Sequence, residues 1–394
     1  MLWLGRSISS LGDRLVEIAL VFTVLGLRRQ PSDVAVVLAA NLVPRVLLTL
    51  AGGVWGDRLP RDRIMIVSDL VRAAAQATTA VLLFTGSARL WHLVVLAALH
   101  GIAASFFAPA SSGVIPETVE PDLRLRANAL MNVSRNGVSV AMPAVAGILV
   151  AWLGPAWVFT LDAASFVASA AFLSTLRLPP RAVAGRAFLA ELRNGWEEVA
   201  SRPWLRWSLA YFASWNLAVA PVFVLGPYVA AQHLGGASGW GIVMSGAAAG
   251  TVGGSLVALR LSCSRPLLVA YVALLIAFLP SAALAVPLGL WAILVSMLLM
   301  TTTMSLANTV WETALQDHVP SNALSRVSAY DWLCSFTSLP IGYTLAGAVA
   351  GPLGTRNTLW LGAAAMTVLT SGVLLVPDVR RLRRRGLPGE HVTG

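Results

Sequence analysis

The sequence contains no lysine; all 28 of its basic residues are arginine. Charge of either sign is scarce, with Asp, Glu, Lys and Arg making up 12% of 394 residues, about half the roughly 25% usual in soluble domains. So little charge cannot cover a water-facing surface on a chain this long, which excludes an ordinary soluble globule and leaves lipid as the main solvent. The arginine-only usage itself carries no functional weight. There are two cysteines, Cys263 and Cys334, far apart and without metal-ligand spacing; both read as free thiols, and no metal site is expected. His-Glu-x-x-His, a phosphate loop of the Gly-x-x-x-x-Gly-Lys type and a nucleophile elbow are all missing. No catalytic residues and no cofactor are therefore expected, and an ATPase domain is excluded. Alternating strands of ~10 residues are absent too, which argues against an outer-membrane barrel.

What is present is apolar sequence: 57% of the residues are hydrophobic, in runs of ~20 residues, each long enough to cross a bilayer as a helix. Twelve spans can be read, the first six at about 3–27, 33–55, 64–86, 90–110, 126–152 and 156–176. The second six lie at about 205–230, 238–259, 266–286, 289–311, 326–350 and 356–376. The expected fold class is an all-α polytopic membrane protein with two pseudo-symmetric six-helix halves, 1–176 and 205–376. A linker (177–204) joins them and a basic tail (377–394) follows. Within the linker, Phe188, Leu189, Leu192, Trp196 and Val199 fall on one face of a helix suited to lying along the membrane surface. The first apolar segment runs to Leu27 without a small-residue cleavage site, so no signal peptide is expected. The opening Met1-Leu2-Trp3 leaves either a very short tail or a start upstream.

The arginines assign sides. One side collects Arg58, Arg61, Arg63, Arg124, the linker set from Arg177 to Arg206, Arg260, Arg265, Arg326 and the tail arginines; the other holds Arg28, Arg29, Arg89 and Arg356. That asymmetry puts both termini in the cytoplasm. The net charge of +10 is explained in this way, not as a nucleic-acid surface, because no stripe with interleaved aromatics exists.

The halves also repeat. Arg126-Ala127-Asn128-Ala129 matches Arg326-Val327-Ser328-Ala329, and Ala146-Gly147 with Gly154 matches Ala346-Gly347 with Gly354, about 200 residues on. Pro121 answers Pro320, and Gly53 has a fainter echo at Gly254. Parallel six-helix halves around a midplane site are one plan for a transporter.

Between the second and third spans runs Gly53-Val54-Trp55-Gly56-Asp57-Arg58-Leu59-Pro60-Arg61-Asp62-Arg63, too charged to lie in hydrocarbon. This hairpin resembles the loop between helices two and three of the major facilitator superfamily. Ser7-Ile8-Ser9-Ser10-Leu11-Gly12-Asp13, Ile115-Pro116-Glu117 and Leu161-Asp162-Ala163-Ala164-Ser165-Phe166 are similar to the branch of that superfamily holding enterobactin exporters and macrolide-efflux pumps, and the likeness covers essentially the whole chain. Two departures stand out: Pro60 replaces the usual hairpin glycine, and Met142 precedes Pro143 where the family's antiporter signature has Gly-Pro. The resemblance implies a secondary active transporter in a bacterial plasma (inner) membrane. It would work by alternating access, exporting an organic compound (drug, siderophore or secondary metabolite) by proton antiport. Its partners would then be a small organic substrate, protons and membrane lipid, with the chain acting as a monomer. The runner-up is an importer or uniporter of a small polar nutrient.

Charges inside spans single out candidate residues, because each costs roughly 2.5–3.5 kcal/mol near the bilayer centre unless it faces a cavity or partner. Asp13, Arg14 and Glu17 lie midway along the first span; Asp13 and Glu17 share a face at spacing four, and Arg14 reaches Glu17 at spacing three. This cluster is the expected proton site; Arg135 in the fifth span would either balance Asp13 or Glu17 or hold an anionic substrate. Asn41 and Arg45 share a face of the second. His100, Phe106, Phe107, Tyr211, Trp215, Asn216, Asn308, Trp311 and Glu312 are candidates to line a substrate cavity, aromatic with a few polar groups. Gly53, Asp57, Arg58, Arg61 and Arg63 are the expected conformational gate. Asp69, Arg72 and Asp331 are expected to brace that hairpin, and Asp162 to be structural on an outer helix.

Overall fold

Pro31, Pro155, Pro203, Pro266 and Pro377 each open a helix, a position that suits proline's fixed φ and needs no N–H from it. The computed structural model describes residues 2–28, 30–58, 61–112, 124–175, 196–261 and 264–383. Within these, the side chains of residues 2–8, 49–58, 61, 108–112, 124–136, 321–326, 329, 332 and 336 lie outside the description. The helices are α1 (Leu2–Arg28), α2 (Pro31–Arg58), α3 (Arg61–Phe84), α4 (Leu90–Ser112), α5 (Arg124–Leu153), α6 (Pro155–Ser174) and α7 (Pro203–His233). They continue with α8 (Ala237–Leu259), α9 (Pro266–Ala273), a 3₁₀ turn (Leu274–Ile276), α10 (Leu279–Ala285), α11 (Leu290–His318), α12 (Ser321–Leu375) and α13 (Pro377–Arg381).

Among the described residues nine stretches are long and apolar enough to cross a bilayer, α9 and α10 together forming one of them. Another, Leu333–Leu375, is twice the necessary length and is broken at Gly354, where φ 76° and ψ 160° lie outside any helix. Adding the charged α1 and the shorter apolar stretch of α5, Gly137–Leu153, is consistent with the expected twelve spans. Gly154 has almost the same backbone, φ 83° and ψ 160°, so the two glycines matched by the sequence repeat make the same bend. A side chain is disfavoured at such φ by about 1–2 kcal/mol. The large exposed side chains are those of a protein in lipid: Leu47, Trp91, Trp152, Trp291, Val368 and Leu375 are all more than half exposed.

The chain forms two compact units. The first comprises Met1–Gly185, Phe223–Ser245 and Tyr343–Pro352. In it α2 lies along α4, α3 along α6 and α4, and α1 along α6 and α5, around buried Val21, Val24, Leu25, Val34, Val37 and Leu93. Asn41, a cavity candidate from sequence, donates from Nδ2 to the Ala97 carbonyl at 3.1 Å and ties α2 to α4. Three contacts bind the start of α8 to α5. A Cβ on Gly241 would stand 2.3 Å from the Pro143 oxygen, and one on Gly147 2.3 Å from the Ala237 oxygen. The third is the Ala144 N–H, which donates to Ser245 Oγ at 3.0 Å. Pro143 thus sits where the backbones of α5 and α8 approach closely.

The second unit comprises Arg186–Val222, Gly246–Gly342 and Leu353–Gly394. Gly246, Gly250 and Gly254 repeat every fourth residue, forming a groove on α8 that takes Leu294, Leu298 and Thr302 of α11. A Cβ on Gly250 would come within 2.3 Å of the Leu298 oxygen, which is backbone and cannot swing aside. Gly250→Val is therefore expected to force α8 from α11 at a cost of about 1–3 kcal/mol, read as a lower thermal midpoint of the purified protein. An unchanged midpoint would refute this close packing. Of the amphipathic linker face, residues 176–195 lie outside the described residues. Chain from Trp196 to Ala200 is helical, with the Trp196 ring tilted against Tyr330 at 5.6 Å and Val199 buried.

Candidate functional site

A guanidinium inside a membrane bundle needs partners on every side, and Arg72 has them. It is 3% exposed and lies in α3 of the first unit, within a span. Its Nη2 donates to Asp69, one turn earlier and fully buried. Nη1 stands 3.6 Å from Asp13 Oδ2 on α1. The planar head lies over two rings, Phe107 at 4.4 Å and Phe166 at 4.2 Å, an arrangement that suits arginine's weakly hydrated, delocalised charge. Sequence spacing assigned Asp69 and Arg72 to the hairpin; the structure instead turns Arg72 inward to α1, α4 and α6.

Asp13 is the least buried acid around this guanidinium, its side chain 36% exposed against 4% for Arg72. Its other oxygen lies 3.7 Å from His100 Nε2 on α4. Gln76 Nε2 is 3.2 Å from His100 Nδ1; with the amide donating, the ring proton is on Nε2, the nitrogen facing Asp13. Asp162 completes the group. It is fully buried on α6, with Oδ2 lacking a hydrogen-bond partner and Asp13, Arg72 and Gln76 as its polar neighbours. Its position depends on Gly12: a Cβ there would stand 2.1 Å from Asp162 Oδ1 and 2.3 Å from Ser165 Oγ. Carboxyls from α1, α3 and α6 thus converge on one guanidinium and one imidazole.

Arg14 and Glu17, expected to act with Asp13, pair with each other instead. Arg14 Nη1 reaches both Glu17 oxygens at 3.0 Å in an exposed pair, so the two acids of α1 face different partners. Arg45 is exposed on α2. Phe106, like Phe107, packs against Ile64, Met65 and Leu173. Arg63 is exposed near the start of α3. The side chains of Arg135, Gly53, Asp57, Arg58 and Arg61 lie outside the described residues.

The second unit holds a cavity of about 370 Å³ between α7, α8, α11 and α12, large enough for a drug-sized ligand. Tyr211, Trp215, Asn216, Asn308 and Trp311 line it. Glu312 accepts from Asn308 Nδ2 at 3.3 Å and is exposed. Phe212 meets Trp311 edge to face at 5.0 Å, while Tyr211 is held by Thr370 at 3.0 Å. Several lining residues were not singled out in the sequence, Phe212, Thr251, Thr301, Ser305 and Ser335 among them; the charged one, Asp331, placed with the hairpin, lies on the cavity wall and accepts from Trp311 Nε1 at 3.1 Å. Arg72 and Asp162 were missed in the same way. For Arg72 and Asp162 the available signal was a charge within an apolar span; Asp331 stands just before one.

A family model described as transmembrane secretion effector matches residues 1–384. The chain is 27% identical over 393 residues to the multidrug efflux pump Tap of Mycolicibacterium fortuitum, covering 94% of this chain and 93% of that one. It is 20% identical over 390 residues to macrolide efflux protein A of Streptococcus pyogenes, covering 97% and 96%. Among solved structures it is similar to a bacterial homologue of the iron transporter ferroportin in an inward-facing state. There the TM-score is 0.72 at 17% identity, over 95% of this chain and 98% of that one. A POT family transporter in complex with 5-aminolevulinic acid gives a TM-score of 0.74 at 13% identity, over 95% and 94%. At these identities the solved structures speak for the fold alone.

Proposed function

Because the chain belongs to the transmembrane secretion effector family of the major facilitator superfamily, a family of transporters and not of enzymes, we propose that it exports an organic compound from the cytoplasm in exchange for protons. The observation that carries this reading is Asp13. It is a part-exposed carboxyl whose oxygens face a buried guanidinium and an imidazole at 3.6 and 3.7 Å. Water can bring it a proton while Arg72 stays out of reach. A proton taken from outside loosens its hold on Arg72 and His100, and losing it inward restores that hold. Pairing made and broken in this way biases one packing of α1 against α3 and α4 over another. Three carboxyls facing a single guanidinium suit a group that exchanges protons better than a static ion pair. Outward transport is supported by likeness to a multidrug pump and a macrolide pump.

On this reading the energy comes from the proton gradient and no cofactor takes part. On the same reading it works as a monomer among the lipids of the bacterial plasma membrane, with both termini in the cytoplasm, an orientation that the arginine distribution supports. The test is efflux of a fluorescent lipophilic dye from energised cells with and without an uncoupler. Expected is dye extrusion that stops when the uncoupler is added. Extrusion that continues at full rate would overturn proton coupling, and net accumulation driven by the gradient would favour an importer.

A further inference from the structure

The second unit's cavity is negative and aromatic at once. Asp331 is the acid on its wall, and among the described lining residues there is no arginine, lysine or histidine to balance it. Trp311, 1% exposed, fixes Asp331 Oδ2 through its indole N–H at 3.1 Å and leaves Oδ1 free of that bond. Glu312, the next residue along α11, adds a second negative field at Asp331. Around them stand the rings of Tyr211, Phe212, Trp215 and Trp311. Trp215, 5% exposed, presents the edge of its ring to the cavity rather than an open polar group.

From this geometry we infer that the cavity takes an amphipathic amine: an ammonium paired with Asp331 and a hydrophobic ring body against the aromatic walls. A carboxylate held in place beside low-dielectric walls attracts a cation more strongly than it would in water, and the ring faces add to that attraction. Anionic compounds meet the opposite field and are excluded. The inference rests on the reading of the chain as an exporter of organic compounds and narrows the class of its cargo; it is indifferent to what drives export.

The test is equilibrium binding to purified protein in detergent, with no gradient present, read by fluorescence anisotropy of two polycyclic dyes. Rhodamine 6G carries a permanent positive charge; Nile red is neutral. Asp331→Asn is expected to weaken rhodamine 6G about tenfold to hundredfold, the worth of a charge-assisted hydrogen bond, and to leave Nile red unchanged. Asp331→Glu should restore most of the lost affinity, which a merely structural role would not require. Equal losses for both dyes, no loss for either, or failure of the unaltered protein to bind rhodamine 6G would each overturn the inference. Efflux that ignores an uncoupler, alongside charge-selective binding that depends on Asp331, would sink the antiport reading and leave this one standing.

Discussion

Replacing Arg72 with methionine is expected to cost about 3–5 kcal/mol of stability, the usual penalty for removing one partner from a buried ion pair. Methionine fills much the same space between Phe107 and Phe166 and favours contact with rings, so lost packing contributes little. What remains is electrostatic: Asp69 is wholly buried with its cation gone, and Asp162 loses the positive charge nearest to it. The thermal midpoint in detergent should fall by on the order of 10 °C. Arg72→Lys should fall between, because it keeps the charge but not the planar stack. Adding Asp69→Asn to Arg72→Met should recover part of the loss, since removing both partners costs less than orphaning one. A midpoint for Arg72→Met equal to that of the parent would mean that the guanidinium does not hold this cluster together.

Asp13→Asn is expected to bring uncoupler-sensitive efflux down to the level of cells lacking the protein, with little change in stability. Asparagine keeps the size of the side chain and removes its exchangeable proton. Asp13 contacts Arg72 and His100 at 3.6–3.7 Å, longer than a charge-assisted hydrogen bond, and Arg72 retains Asp69. The discriminating measurement is substrate exchange in vesicles with no gradient, which should persist in Asp13→Asn because the moving parts survive. Glu17→Gln breaks only the exposed pair with Arg14, worth about 0–1 kcal/mol. Its efflux should therefore stay within about fivefold of the parent. Loss in Glu17→Gln with retention in Asp13→Asn would move the proton site one turn along α1.

The spans and the repeat were legible because both are one-dimensional signals. A run of apolar residues long enough for the bilayer needs no partner to be recognised, and Gly154 with Gly354 proved to share a backbone bend as well as a register. The charged site was only half legible. Spacing shows which face of its own helix a residue occupies but not which helix that face meets. Asp13 and Glu17, four residues apart, were grouped for that reason, yet Asp13 meets Arg72 and His100 while Glu17 turns to Arg14. Arg72 and Asp162 belong to helices that the sequence places separately, and only the packing of α1, α3, α4 and α6 brings them together. Asp331 and Trp311 come from α12 and α11, and their hydrogen bond crosses a helix interface.

The bend at Gly154 has a mechanical meaning. One residue separates α5 from α6, so the two helices form a short-jointed bracket, and a tilt of α6 has only the two dihedrals of Gly154 to absorb it before α5. Asp162 is mounted on one arm of that bracket. Pro143 and Gly147, which bear on Gly241 and Ala237, are mounted on the other. Any tilt of α6 that followed a change at the buried carboxyl would therefore be carried to the seam between α5 and α8, and slack inserted at Gly154 would disconnect the lever from its load.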